Sequence, residues 1–253
     1  MSQLALDLLP ELAPTLENFV AGANRECLQH LRALRDGQRA HRFIYLWGLP
    51  GCGRSHLARA LAGGLAPAGQ ASTGEAPGAH RSGSLASGSQ ASDVLADAVG
   101  IGPAADGTEP AVPSLLVVDD VHRLGPDDQI ALFRQFIAAA AQPQRAIVTT
   151  GDRPPLALGL RDDLRSRLGA GLVFELQVLD DTARALALGQ AAQARGVALS
   201  ADLIPWLLTH HSRDMRVLLA TFEALDRYAL ARKRPLTLPL LREWLAEPTG
   251  KML

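Results

Sequence analysis

The sequence predicts an α/β protein, a parallel sheet with helices packed on it, followed by a smaller all-helical unit. Three observations carry this. Phe43–Leu57, FIYLWGLPGCGRSHL, opens as an apolar run of buried-strand length, turns through Gly48, Gly51 and Gly53, and starts a helical pattern at Ser55. Two further apolar runs, 114–118 and 146–150, lead into polar residues at their ends. From Asp180 to Leu245 the apolar spacing is helical throughout.

Bulk properties narrow the function classes. The chain has 253 residues, 47% of them hydrophobic, which suffices for one large domain or one with a small satellite. A net charge of −1 argues against a free-standing nucleic-acid reader, so any DNA association is expected to be indirect. Cys27 and Cys52 have no metal-site spacing and suggest no disulfide scaffold, which fits a reduced, cytoplasmic setting. The start, MSQLALDLLP, lacks a basic region and has too short an apolar stretch for a leader or span, so no membrane role is expected.

In chain order, Gln3-Leu4-Ala5-Leu6-Asp7-Leu8 comes first, with Pro10 closing it. Extended, it puts Leu4, Leu6 and Leu8 on one face. Such a face suits an edge strand, a tail folded onto the domain, or a linear peptide for a groove on another protein. Residues 15–24 follow, and then an amphipathic helix over Arg25–Arg35 with Cys27, Leu28, Leu31 and Leu34 at helical spacing.

The strand–turn–helix at 43–57 has the geometry of a phosphate cradle. Glycines let the backbone approach oxygen atoms, and a helix N-terminus presents unpaired N–H groups. The spacing Gly48-x-x-x-x-Gly53-Arg54-Ser55 matches a P-loop, with arginine in the usual lysine position. Gly48, Gly51, Cys52, Gly53, Arg54, Ser55 and His56 are therefore the candidate phosphate contacts. Arg54 remains a cation but a planar, larger one, so nucleotide binding is expected and efficient hydrolysis is not.

The helix from Ser55 is expected to end near Leu65. Residues 66–113 are then dominated by Ala, Gly, Ser and Pro and read as an insertion unable to bury much surface, with a helical turn or two at 92–99. Order returns at 114–122, SLLVVDDVH, a buried strand that delivers carboxylates at its end. Asp119 is placed to hold Mg2+, together with the Ser55 hydroxyl, because hard oxygen ligands suit that cation. Asp120 is the next residue, and its resemblance in position to the second acid of P-loop ATPases implies a water-orienting role for it. His122 reads as a partly exposed histidine without assigned chemistry.

A helix over 129–140 is expected to turn Ile130, Leu132, Phe133, Phe136 and Ile137 mostly inward. The strand 146–150 runs into Gly151-Asp152-Arg153-Pro154-Pro155, where a turn-forming aspartate is one account of Asp152. In 161–168, Arg161 and Arg165 would share a helical face and Arg167 would point elsewhere. A strand is expected at 171–176. Four helices are then expected, at 180–194, 201–209, 213–231 and 240–245.

Together these pieces resemble the AAA+ ATPases in their DnaA branch, and within it the regulatory inactivators of DnaA. The resemblance covers nearly the whole chain outside 66–113. It implies a base domain over 11–178, preceded by a tail at 1–10, and an α-helical lid over 179–253. TLENFVAGAN at 15–24 is similar to the segment whose backbone lies against adenine, which gives Val20 a place beside the base. Asp152 matches the first phosphate sensor, with Thr149 and Thr150 as alternatives if the strand ends earlier. Leu164–Arg167 matches an L-x-S-R segment whose arginine, here Arg167, is a finger reaching a neighbour's nucleotide. Arg216 matches the second sensor, in the lid. Gln3–Leu8 resembles the QLxLxL-type peptide that docks on the DNA polymerase III sliding clamp. The lid pattern ends near Leu253, and no DNA-binding domain is expected after it. The implied function is a protein holding ADP or ATP with Mg2+, docked on the clamp and stimulating hydrolysis by DnaA. A homo-oligomer is compatible with it. An autonomous AAA+ ATPase or helicase-loader-type protein, and a non-hydrolysing clamp-interaction module, are the alternatives.

Overall fold

A computed structural model describes residues 13–63, 100–101 and 114–247. The clamp-like peptide Gln3–Leu8, most of the 66–113 segment including 92–99, and residues 248–253 lie outside the described residues.

The elements follow the periodicity of the chain. Helix α1 (Arg25–Arg35) precedes β1 (Phe43–Trp47), α2 (Arg54–Gly63), β2 (Gly100–Ile101), β3 (Leu115–Val118), α3 (Pro126–Ala140), β4 (Ala146–Gly151), α4 (Asp162–Gly169) and β5 (Leu172–Glu175). Four more helices follow: α5 (Asp181–Ala194), α6 (Leu203–His210), α7 (Met215–Arg232) and α8 (Leu238–Ala246). The sheet order is β2-β3-β4-β1-β5, and β3, β4, β1 and β5 are parallel. Parallel strands buried on both faces need apolar residues at every position. The runs FIYLW, LLVV and AIV supply them, and Thr149 and Thr150 are buried polar residues near the end of β4.

Strand alternation splits the base into two cores. Ile44, Leu46, Leu115, Val117, Ala146 and Val148 pack with α1, α2 and Leu16 on one face. Tyr45, Leu116, Val118 and Ile147 pack with Leu132 and Phe136 of α3 and Leu164 and Leu168 of α4 on the other. A third core joins α5 to α8 around Phe222, Leu225, Leu203 and Trp244. That is the small helical unit expected at the C-terminal end.

Several details differ from expectation. Residues 100–101, within the presumed insertion, form a short strand, and it pairs antiparallel with β3. Helix α3 begins at Pro126, because proline suits a first helical turn. Its inner stripe is Leu132, Phe136 and Ala139, whereas Ile137 is 44% exposed. One residue past Phe136 is a 100° rotation, which carries Ile137 off that stripe. Arg161 is the residue before α4 rather than part of its face.

Candidate functional site

Parallel pairing brings the C-terminal ends of β1, β3 and β4 to one edge of the sheet, the place where open α/β sheets take ligands. The turn after β1 has left-handed backbone at Gly51 (φ 83°) and Gly53 (φ 98°). Side chains are excluded here by contact as well. A Cβ on Gly48 would stand 2.5 Å from the Leu176 carbonyl oxygen and 2.9 Å from Cys52 Sγ. One on Gly53 would stand 2.6 Å from the Phe19 ring. Burial pushes the Cys52 thiol above its usual range, so it stays protonated under the loop. Arg54, Ser55 and His56 form the first turn of α2, where N–H groups lack helical partners.

The segment 15–24 lies against this loop. Thr15 and Asn18 exchange hydrogen bonds between backbone N–H and side chain. His56 Nε2 is 3.1 Å from the Thr15 carbonyl oxygen, and its ring packs on Phe19 at 5.4 Å between centroids. The Asn24 amide donates to the Gln177 carbonyl and accepts from the Gln177 N–H, which ties this segment to the connection into the lid. Val20 is half-buried within it.

The two acids after β3 are oriented by β4. The Thr150 hydroxyl donates a short hydrogen bond to Asp119 Oδ1 and accepts the Asp120 N–H at 2.8 Å. Asp120 has left-handed backbone (φ 51°), which turns its carboxylate toward the loop. There Asp120 Oδ1 is 3.7 Å from Arg54 Nη1 and 3.8 Å from His122 Nδ1. His122 Nδ1 is also 3.9 Å from Asp152 Oδ1, just past β4. Burial raises the Asp152 pKa, but hydrogen bonds from Arg153 and the nearby positive charge outweigh it and hold the carboxyl below its usual value.

Arg54 is only 13% exposed. Arg54 Nη1, Asp120 Oδ1 and His122 Nδ1 are all buried without a hydrogen-bond partner among the described residues. Orphaned polar atoms are costly unless something satisfies them. A glycine cradle, a buried cation and hydroxyl and carboxylate oxygens fit a nucleoside phosphate with Mg2+. No group of three metal-ligating side chains occurs among the described residues.

The lid meets the same loop. Asp214 caps α7 by accepting the Arg216 N–H at 2.9 Å, and its Oδ1 is 3.2 Å from where a Cβ on Gly51 would be. Arg216 Nη2 binds Asp214 Oδ2 at 2.8 Å, and the Arg216 side chain is 73% exposed. Arg167 stands apart from this cluster. It is exposed on α4, and its side chain makes no hydrogen bond or ion pair with any described residue. Arg161 and Arg165 are neutralised by Asp163 and Asp162.

Sequence reasoning therefore found Arg54, Asp119, Asp120 and Asp152, which the fold brings together. It missed His122, which links two of those acids, and Asp214, the lid group at the loop. The signal for Asp214 was its place two residues before Arg216, at a helix start rich in capping residues.

The family model for the Hda lid domain matches residues 181–245. Among solved structures, the replication initiator DnaA bound to AMPPCP and single-stranded DNA is 21% identical at a TM-score of 0.60, with 84% of this chain and 64% of that one covered. AMPPCP-bound DnaA from Aquifex aeolicus is 24% identical at 0.61, with 84% and 65% covered. The chain thus spans just under two thirds of the length of these two DnaA chains. Domain III of DnaA from Thermotoga maritima is 19% identical at 0.66, with 94% and 100% covered. Residues 181–245 thus match a lid of the Hda kind, and the sheet, loop and helical lid share the fold of these DnaA chains.

Proposed function

We propose that this protein is a nucleotide-bound regulator that stimulates ATP hydrolysis by a DnaA-type initiator and so restrains replication initiation. The observation that carries the reading is Arg167. A cation left without an acidic partner, beside two arginines that have one, is suited to a partner's anion. Supplied in trans, such an arginine raises phosphoryl transfer by about 10³–10⁵-fold. In this reading Gly48–His56 and Arg54 hold the phosphates of ADP or ATP, Ser55 and Asp119 hold Mg2+, and the backbone around Val20 faces the base. A bound nucleotide neutralises Arg54 and braces the lid against the base domain. Gln3, Leu4, Leu6 and Leu8 dock on the DNA polymerase III sliding clamp, which brings the protein to DNA without a DNA-reading surface and raises its effective concentration there.

Stimulation of purified DnaA by this protein, with clamp-loaded DNA, is the direct test. DnaA hydrolysis is expected to rise with the wild-type chain and to stay at its basal rate with Arg167→Ala. A rise that survives Arg167→Ala overturns the reading. Gln3→Ala with Leu6→Ala is expected to abolish clamp binding.

Autonomous turnover is the second reading, favoured by Asp119 held ready by Thr150. Against it, the Asp120 carboxylate faces Arg54 and His122 rather than standing free for water. Steady ATP turnover by the isolated chain, lost on Asp120→Asn, would favour this second reading.

A further inference from the structure

The turn between α6 and α7 carries the lid to the phosphate loop, and His211 is the side chain that shapes it. Asp214 Oδ1 lies 3.2 Å from where a Cβ on Gly51 would be, so the turn rests on the middle of the glycine cradle. His211 ends α6 with extended backbone (φ −120°, ψ −176°). Its Nδ1 accepts the Ser212 N–H at 2.8 Å, and its Nε2 is 3.0 Å from Thr221 Oγ1. A ring nitrogen that accepts an N–H carries no proton, so these bonds assign the neutral ring with its proton on Nε2, donated to Thr221. Thr221 is fully buried in the second turn of α7. From the ring the bonds run outward through the turn. Ser212 Oγ accepts the Asp214 N–H at 3.1 Å, and Asp214 Oδ1 accepts the Arg216 N–H at 2.9 Å. Arg213, between them, is 3.5 Å from Asp181 of α5.

We propose that His211 is a positioning residue of the nucleotide site, a latch that ties the 211–214 turn to the body of α7 and so holds Asp214 against Gly51. The inference rests on the nucleotide-site reading above and deepens it. A turn left to itself samples many conformations, and fixing each residue costs about 1–2 kcal/mol. The imidazole fixes this one from within, because it gives the Ser212 N–H its partner and is itself anchored on a buried hydroxyl that does not move with the turn. Gly51 has left-handed backbone (φ 83°) and no side chain of its own to hold it in place. Contact from Asp214 supplies that bracing, and a braced loop keeps its N–H groups aimed at the phosphates. His211 touches no nucleotide; its effect passes through Ser212 and Asp214.

The test is equilibrium binding of ADP with Mg2+ to the full chain and its variants, well below their unfolding temperatures, beside a urea unfolding curve for each. His211→Ala removes both bonds of the ring and is expected to weaken ADP binding about three- to tenfold, the range that one hydrogen bond spans. His211→Asn keeps an acceptor at the Nδ1 position and loses the reach to Thr221, whereas Thr221→Val removes the anchor and leaves the ring. These two variants should match each other, with affinities between wild type and His211→Ala. In the His211→Ala background, Thr221→Val should weaken ADP binding no further, a coupling read from the double-mutant cycle. A residue that only stabilises the lid would lower the unfolding curves and leave the ADP affinity of the folded chain unchanged. That outcome, or additive losses from His211→Ala and Thr221→Val, overturns the proposal and leaves the nucleotide-site reading standing. If ADP does not bind the wild-type chain, that site reading falls and the proposal with it.

Discussion

Thr150 ties the ends of β4 and β3 together. Its buried hydroxyl donates to Asp119 Oδ1 and accepts the Asp120 N–H at 2.8 Å. One side chain thus sets the direction of one acid and the backbone of the next. Thr150→Val keeps the shape and removes both bonds, leaving the half-buried Asp120 N–H and an Asp119 carboxylate oxygen short of a partner. The expected cost is about 1–3 kcal/mol in a urea unfolding curve, together with weaker Mg2+-dependent nucleotide binding. Thr149→Val, whose hydroxyl makes only a 3.5 Å approach to the Ile44 carbonyl, is the control and should cost less.

Gly48→Ala is expected to be worse than its one added methyl suggests. The obstacle at 2.5 Å is the backbone carbonyl of Leu176, whose own N–H is bonded to Trp47 at 2.6 Å and so cannot retreat. Overpacking of this kind costs about 1–3 kcal/mol. The readout is a lower melting temperature and loss of the further rise expected from ADP with the wild-type chain. Gly37→Ala is the comparison. It has left-handed backbone at φ 90° but open space around it, so it should pay only the backbone penalty and keep its response to ADP.

The contrast between these sites shows what a linear sequence reveals. Gly48, Gly53 and Ser55 were legible because a cradle needs small residues at fixed local spacing. Ile44 and Tyr45 were assigned to strand β1 by their apolar run, although only the sheet shows that they serve opposite cores. His122 was not legible. Its link to Asp152 arises from the pairing of Val118 with Thr149, which brings distant positions to one edge. The strand at 100–101 hid because Gly100 and Ile101 lie in a Gly- and Ala-rich stretch with no apolar period. Ile137 was misassigned because an apolar residue beside a true core position looks the same in composition as one within the stripe.

Arg167→Ala should leave the protein itself intact. With an exposed side chain and no hydrogen bond or ion pair to lose among the described residues, its unfolding stability is expected within about 0.5 kcal/mol of wild type, and ADP binding should be unchanged. Leu164→Ala, three residues earlier and fully buried, should cost about 2–5 kcal/mol. Measured together, the pair separates a surface cation kept for a partner from the packing that holds α4 in place.

Acid should loosen the lid through Asp214 in a direction its partners dictate. Arg216 and the start of α7 bind the ionised carboxylate, so its folded pKa lies below the value near 4 of an unfolded aspartate. A group depressed in this way contributes its full stabilisation above the unfolded value and loses it as pH falls through the folded one. In that window the unfolded chain binds the proton first, and stability declines with pH. Asp214→Asn has no such proton to bind, yet still caps the helix. Urea midpoints followed from pH 6 to pH 3 should therefore show wild type ahead at pH 6 and the gap closing in acid. A gap that stays constant across that range would mean the Asp214–Arg216 bonds contribute nothing to holding the lid.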